Sequence, residues 1–213
     1  IYGQVQVANL NIDNANNVSG PAVQIRNTTN SADPTGTDSG RVYINGGTIS
    51  NSGGNGIEVT NALAKITGTT ISGALANGIF ATASGSQQTT VEVVSSNITG
   101  TGGIDGLHVE ASGGGIVNAT LTNSLIGVPG NPLNVIVFDA TSTAHVNATG
   151  NFGSGGGAPG TGGFVLNNQT GTLQIDQAST ADLTTANNVV TVTVPSSPVT
   201  FNGTTPPVPP PTP

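Results

Sequence analysis

The chain has no cysteine, no methionine and no tryptophan, and aromatic residues make up only 3% of it. Without Cys there can be no disulfide framework and no thiolate metal site. Charged residues are 6%, against roughly 25% in an average globular protein. The bases are Arg26, Arg41 and Lys65, set against ten carboxylates, for a net charge of −7. Three scattered bases cannot neutralise a phosphate backbone, which argues against a nucleic-acid partner. No apolar run approaches the ~20 residues of a spanning helix, and no basic amphipathic stretch suits a membrane surface. Helical periodicity is missing as well.

What the chain does have is Gly (32 of 213 residues), Ser, Thr and Asn, with 34% hydrophobic residues placed at regular intervals. That regularity argues against disorder. Asn55-Gly56-Ile57-Glu58-Val59 returns as Asn77-Gly78-Ile79-Phe80-Ala81 and as Asp105-Gly106-Leu107-His108-Val109. It returns more loosely as Asn134-Val135-Ile136-Val137, giving successive spacings of 22, 28 and 28 residues. A period in this range, built on short strand-like runs, points to a stacked repeat.

Three short strands per coil can be traced. The first strands include Val5-Gln6-Val7, Val42-Tyr43-Ile44, Ala64-Lys65-Ile66, Val91-Glu92-Val93, Ile116 to Leu121, Ala144-His145-Val146 and Leu173-Gln174-Ile175. The second strands supply the column Ile12, Ile49, Ile71, Ile98, Leu125 and Phe152. Alternate residues of a strand share a face, so these aliphatic groups are expected to stack inside the coil. Asn14, Asn51, Gly73, Gly100 and Gly127 follow two residues later and are expected to turn the chain through left-handed backbone. The Asn-Gly or Asp-Gly before the third strands is expected to do the same at the next corner. Seven coils spaced by ~4.8 Å would make a rod of roughly 34 Å. Asn27 to Gly40 and Gly153 to Gly163 read as projecting loops.

These N-G-Φ-x-Φ third strands, Φ-x-(Asn/Gly) second strands and Thr/Asn-rich turns resemble the right-handed parallel β-helix repeats of large secreted bacterial surface proteins. The likeness covers about residues 4 to 175. It implies an all-β fold, a single-stranded right-handed parallel β-helix of about seven coils with three short strands each. Residues 1–175 would form the helix. Residues 176–204 would be a cap or subunit-contact segment, with strands at Ala181-Asp182-Leu183, Val189 to Val194 and Val199-Thr200-Phe201. Residues 205–213, with six Pro, would be an extended polyproline tail.

The resemblance reaches polysaccharide lyases and hydrolases, tailspikes, adhesins and structural fibres, so chemistry has to be sought residue by residue. Outward positions of the third strands read Gln24, Glu58, Phe80, His108, Ile136 and Val165, with no two stacked acids. The first strands give Gln6, Tyr43, Lys65, Glu92, a small residue near Val117, His145 and Gln174. Lys65 and Glu92, one coil apart, are expected to pair at the surface. Glu58 and Asp105 fall two coils apart, which does not suit the paired carboxylates of a glycosidase. Asp105 replaces the turn-forming Asn55 and Asn77, and Glu110 reads as a solvated acid. His108 and His145 fall on different faces, which does not suit a shared metal. Gly102-Gly103-Ile104-Asp105 is faintly similar to a Ca²⁺-binding nonapeptide but is not repeated in tandem. Seven Asn-x-Ser/Thr sequons, at Asn17, Asn27, Asn97, Asn118, Asn147, Asn168 and Asn202, are no more than a composition so rich in Asn, Ser and Thr supplies.

No catalytic, cofactor or metal site is therefore expected. Ile1-Tyr2 is too short to cap the first coil, and charge that would guard its edge is nearly absent. The expected function is a structural subunit of an extracellular or cell-surface filament, joined head to tail to copies of itself. The alternative is an adhesin or stalk segment of a larger surface protein, touching glycans or proteins through Tyr43, Phe80 or the long loops. A polysaccharide-acting enzyme is the third reading.

Overall fold

The computed structural model describes residues 4–13, 19–26, 41–100, 105–150, 163–187, 191–196, 198–202 and 206. Strands are numbered in chain order. One series comprises β1 (Gln4–Asp13), β3 (Arg41–Ser50), β5 (Leu63–Thr67), β8 (Gln88–Val94), β11 (Ile116–Thr122), β14 (Thr143–Thr149), β16 (Thr172–Ile175) and β18 (Thr200–Phe201). A second comprises β6 (Thr70–Ser72), β9 (Asn97–Thr99) and β12 (Leu125–Gly127). The third comprises β2 (Val23–Arg26), β4 (Ile57–Thr60), β7 (Ile79–Ser84), β10 (Leu107–Ser112), β13 (Leu133–Val137), β15 (Phe164–Asn168) and β17 (Val192–Ser196).

Every strand pairs in parallel with its counterpart one repeat on, and the first two series join because β1 and β3 run through the corner between them. The result is an all-β fold of stacked parallel sheets, the arrangement expected of a parallel β-helix. β3 bends at Gly46 and Gly47, both with positive φ. A Cβ on Gly47 would lie 2.2 Å from the Leu10 carbonyl oxygen, so only glycine lets these strands stack there.

The apolar residues meet as columns. Ile12 stands on Ile49, Ile49 on Ile71, and Ile71 on Ile98, as the period predicts. The next member is Ile126, not Leu125: Asn97 pairs with Leu125 and Ile98 with Ile126. The repeat is one residue longer there, and an odd shift exchanges the two faces of a strand. Ile126 is buried, Leu125 is half-exposed, and Gly127 falls within the strand without a positive φ. Asn51, Gly73 and Gly100 do adopt the left-handed turn expected of them.

Glycine at the other corner has a different reason from the expected one. Gly56 and Gly106 do not have positive φ. Instead a Cβ on Gly56 would approach Ile71 Cγ2 to 2.5 Å and the Gly78 carbonyl oxygen to 2.6 Å. A Cβ on Gly106 would meet Ile126 Cγ2 at 2.3 Å. These glycines let the corner close against the interior column.

One further reading is corrected. Ala181-Asp182-Leu183 is not a strand but part of a helix, α1 (Thr180–Asn187). Ser179 Oγ accepts the Asp182 N–H at 3.1 Å and donates to the Asp182 carboxylate at 2.7 Å, a local cap that favours the helix over a strand. α1 packs on β14, and its fully buried Leu183 joins the core. The C-terminal strands extend the sheets of their own chain, β17 on β15 and β18 on β16. The expected strand at Asn151-Phe152, the turn residue Asn14, residues 27–40, 101–104 and 153–162, and the tail apart from Pro206 lie outside the described residues.

Replacing Gly56 or Gly106 by Ala should destabilise the fold by about 1–3 kcal/mol through overpacking. Gly127→Ala, whose new Cβ meets only Thr99 Cγ2 at 3.7 Å, should stay within about 0.5 kcal/mol of the parent in urea unfolding.

Candidate functional site

Corners of a stacked repeat bury backbone polar groups, and these need partners. At the corner before the third strands the partners are a ladder of like side chains. Asn55 Oδ1 accepts the Asn77 backbone N–H and its side-chain Nδ2–H, both at 3.1 Å. Asn77 Oδ1 accepts the Asp105 N–H, and Asp105 Oδ1 accepts the Asn131 N–H and Nδ2–H. Asp105 is thus one rung of an amide ladder, in keeping with its reading as a turn former. It is only 2% exposed.

The ladder fixes the outer row of the third-strand sheet. Parallel register sets Gln24, Glu58, Phe80, His108, Asn134, Val165 and Thr193 side by side. Asn134, not Ile136, follows His108, because Gly106 is matched by Pro132, 26 residues on. Ile136 instead faces Glu110 in the adjacent row. The shift of two residues preserves the face but changes the neighbour.

His108 is the centre of the densest polar cluster on this face. Its Nδ1 lies 2.7 Å from Asp105 Oδ2, and its Nε2 lies 3.0 Å from Glu110 Oε1. Asn134 Nδ2 donates to Asp105 Oδ2 at 2.9 Å. The Phe80 ring sits beside the imidazole at a centroid distance of 5.5 Å. Burial alone would lower the His108 pKa, but the two carboxylates outweigh it and raise the value from 6.5 to about 9. Burial alone would raise the Asp105 pKa. Hydrogen bonds from His108, Asn134 and Asn131 outweigh that and hold it below 3.8. At neutral pH the cluster is an imidazolium clamped between two carboxylates. Glu110, expected as a solvated acid, is a partner of this histidine.

Glu58 is engaged too. It accepts from Arg26 Nη2 at 2.8 Å and from Gln24 Nε2 at 3.0 Å. Burial alone would raise its pKa, but the hydrogen bonds from Arg26, Gln24 and Asn55 and the Arg26 charge together outweigh it, and the net shift is downward. Glu58 and Asp105 lie two strands apart, separated by the Phe80 strand. Both carboxylates are engaged by side-chain donors of their own or neighbouring repeats.

The first-strand sheet carries the expected Lys65–Glu92 pair at 3.0 Å, but Glu92 is buried rather than exposed at the surface. Its outer row then continues through Thr120 and Asn147 rather than through His145. His145 stands one row over, between Asn118 and Gln174, with Nδ1 2.8 Å from Asn118 Oδ1. Burial lowers its pKa despite Gln174 and Asp176, so it is neutral at pH 7. The two histidines therefore belong to different sheets. Tyr43, expected as an exposed ligand contact, is only 1% exposed and offers no platform.

Among the described residues no group of three His, Cys, Asp or Glu is placed to hold a metal ion. Asp105 and Glu110 approach opposite edges of one imidazole and do not converge on a point. Gly102 to Ile104 of the suspected Ca²⁺ loop lie outside the described residues, while both Asp105 oxygens are already engaged. No protein-family model, curated protein or solved structure matches the chain.

The Asp105–His108 spacing of three was the available signal for the clamp. Asn134 was out of reach without the true register.

The clamp should make stability fall on both sides of neutrality. The His108 contribution is complete below pH 6.5 and is lost as pH rises through about 9. The Asp105 contribution is present above pH 3.8 and is lost as pH falls through its depressed value. His108→Gln should flatten the alkaline limb in urea titrations across pH. Asp105→Asn keeps an amide in the ladder yet should return His108 towards pKa 6.5 by NMR, at a cost of about 1–3 kcal/mol.

Proposed function

We propose that the chain is a structural subunit of an extracellular filament or surface fibre, a right-handed parallel β-helix of about seven coils that joins head to tail. The observation that carries this reading is that parallel ladders link every repeat, broken in register only between β15 and β17, and that among the described residues the end strands have one unpaired edge each. Such edges invite further strands unless they are guarded. β1 is ten residues long, without Pro and without charge before Asp13. A contact between unlike ends does not close on itself and so generates a fibre.

The outer faces support a structural role. Their acids are occupied by Arg26, Lys65 and His108, and the remaining groups are mostly small and polar. A polysaccharide-acting site would need free carboxylates, and an adhesin would use exposed aromatics; on the third-strand row Phe80 is half-buried, and at the corner beyond β13 Phe138 is exposed. The same rod would serve as a stalk in a larger surface protein, with the open edge continuing into further coils.

Negative-stain microscopy of the purified chain should show filaments of uniform width, growing longer with concentration. Dispersed single rods at all concentrations, with and without residues 205–213, would end the filament reading.

A further inference from the structure

The filament reading leaves open which edges meet and in what register. One interior column carries the answer at both of its ends. Val5 stands on Val42, then come Ala64, Val91, Ala119, Val146, Ile175 and finally Phe201. From Ala64 to Ile175 every member is buried, whereas Val5 and Phe201 are both only half-buried. The column thus stops at an incompletely covered aliphatic group at one end and an incompletely covered ring at the other. Both end strands run in the same direction as all the others, so a simple translation along the stack would continue the ladder.

Charge distinguishes the ends as well. All three bases lie within residues 1–65, together with four acids, whereas residues 66–213 hold six acids and neither Lys nor Arg. Arg26 sits on β2, the edge strand of its sheet, with its side chain 52% exposed. A contact between two C-terminal ends would oppose two acid-only halves. A contact between unlike ends sets the half of net charge −6 against the half of net charge −1 and is opposed less.

Resting on the filament reading, we infer that β18 of one copy pairs in parallel with β1 of the next, with Thr200 against Gln4 and Phe201 against Val5. The occupant of the open β1 edge is a second copy of this chain. The contact completes the interior column, covering Phe201 and Val5 together, and continues the first-strand sheet from copy to copy.

The absence of native Cys allows a direct test. Neighbouring parallel strands hold paired positions about 4.8 Å apart, within disulfide range. Chains carrying Gln4→Cys and chains carrying Thr200→Cys, mixed under mild oxidation, should give a mixed disulfide dimer. A chain carrying both should give a ladder of covalent multimers, because within one copy the two positions lie at opposite ends of the sheet. Predominant dimers of Gln4→Cys chains alone would overturn the inference in favour of a contact between like ends. Filaments by microscopy without mixed dimers would overturn this contact and leave the filament reading standing, whereas no filaments at all would overturn both. Independently of the cysteine variants, Phe201→Ser should weaken self-association at least tenfold in sedimentation while circular dichroism stays unchanged. Undiminished association would likewise count against the inference.

Discussion

The structure depends on parallel pairing of like with like, one repeat above another. Each residue of a strand faces its counterpart at the same height of the next repeat, so one side-chain choice is tested against its own kind along the stack. Aliphatic residues satisfy this inside, where Ile49, Ile71 and Ile98 form one column. Small polar residues satisfy it at the corners. Besides the Asn ladder, Ser96 Oγ accepts the Thr69 N–H and Ser124 Oγ accepts the Ser96 N–H, among buried residues. A polar group in a dry corner is tolerable only when the repeat above or below supplies its partner. The stack therefore relies on nearest neighbours, as repeat architectures do, rather than on one central core.

Outside the columns, the same spacing brings charges into register. Lys65 meets Glu92, Arg26 meets Glu58, and His108 meets both Asp105 and Glu110. The corner beyond β13 is tied across repeats in another way. Asp139 takes hydrogen bonds from Thr141 and Ser142 in its own turn and from the Gly113 N–H of the preceding repeat. Those donors hold its pKa at about 2, so the turn keeps its negative charge throughout the physiological range. With so few charges in the chain, almost every one that the structure describes has a fixed partner. That leaves small neutral groups to form most of the outer surface.

Much of this was legible in the sequence, because period-two alternation and recurring Asn-Gly corners are strong local signals. What failed was register wherever the repeat changed length. One extra residue before β12 exchanged Leu125 for Ile126, and a shortened repeat before β13 exchanged Ile136 for Asn134. Local patterns cannot fix such offsets, because pairing is decided between segments some twenty-five residues apart. The helix was missed for a different reason. Its composition, Thr-Ala-Asp-Leu-Thr-Thr-Ala-Asn, is a poor helix former, and only the Ser179–Asp182 cap and the burial of Leu183 recover it. The clamp around His108 was half legible: both carboxylates lie within three residues of the histidine, but the ladder that orients Asp105 appears only once the repeats are stacked.

A ladder of identical rungs has an inherent ambiguity, since a chain wound one repeat out of step would still place amide on amide and isoleucine on isoleucine. Asp105 breaks that degeneracy. It is the sole acid among the four corner rungs, and it faces Asn134 from one particular repeat and no other. A misthreaded chain would still offer Asp105 an amide rung and its own His108, but would lose the Asn134 donor to Asp105 Oδ2. One unlike residue in a monotonous stack thereby serves as an alignment mark, telling the folding chain which turn belongs on which.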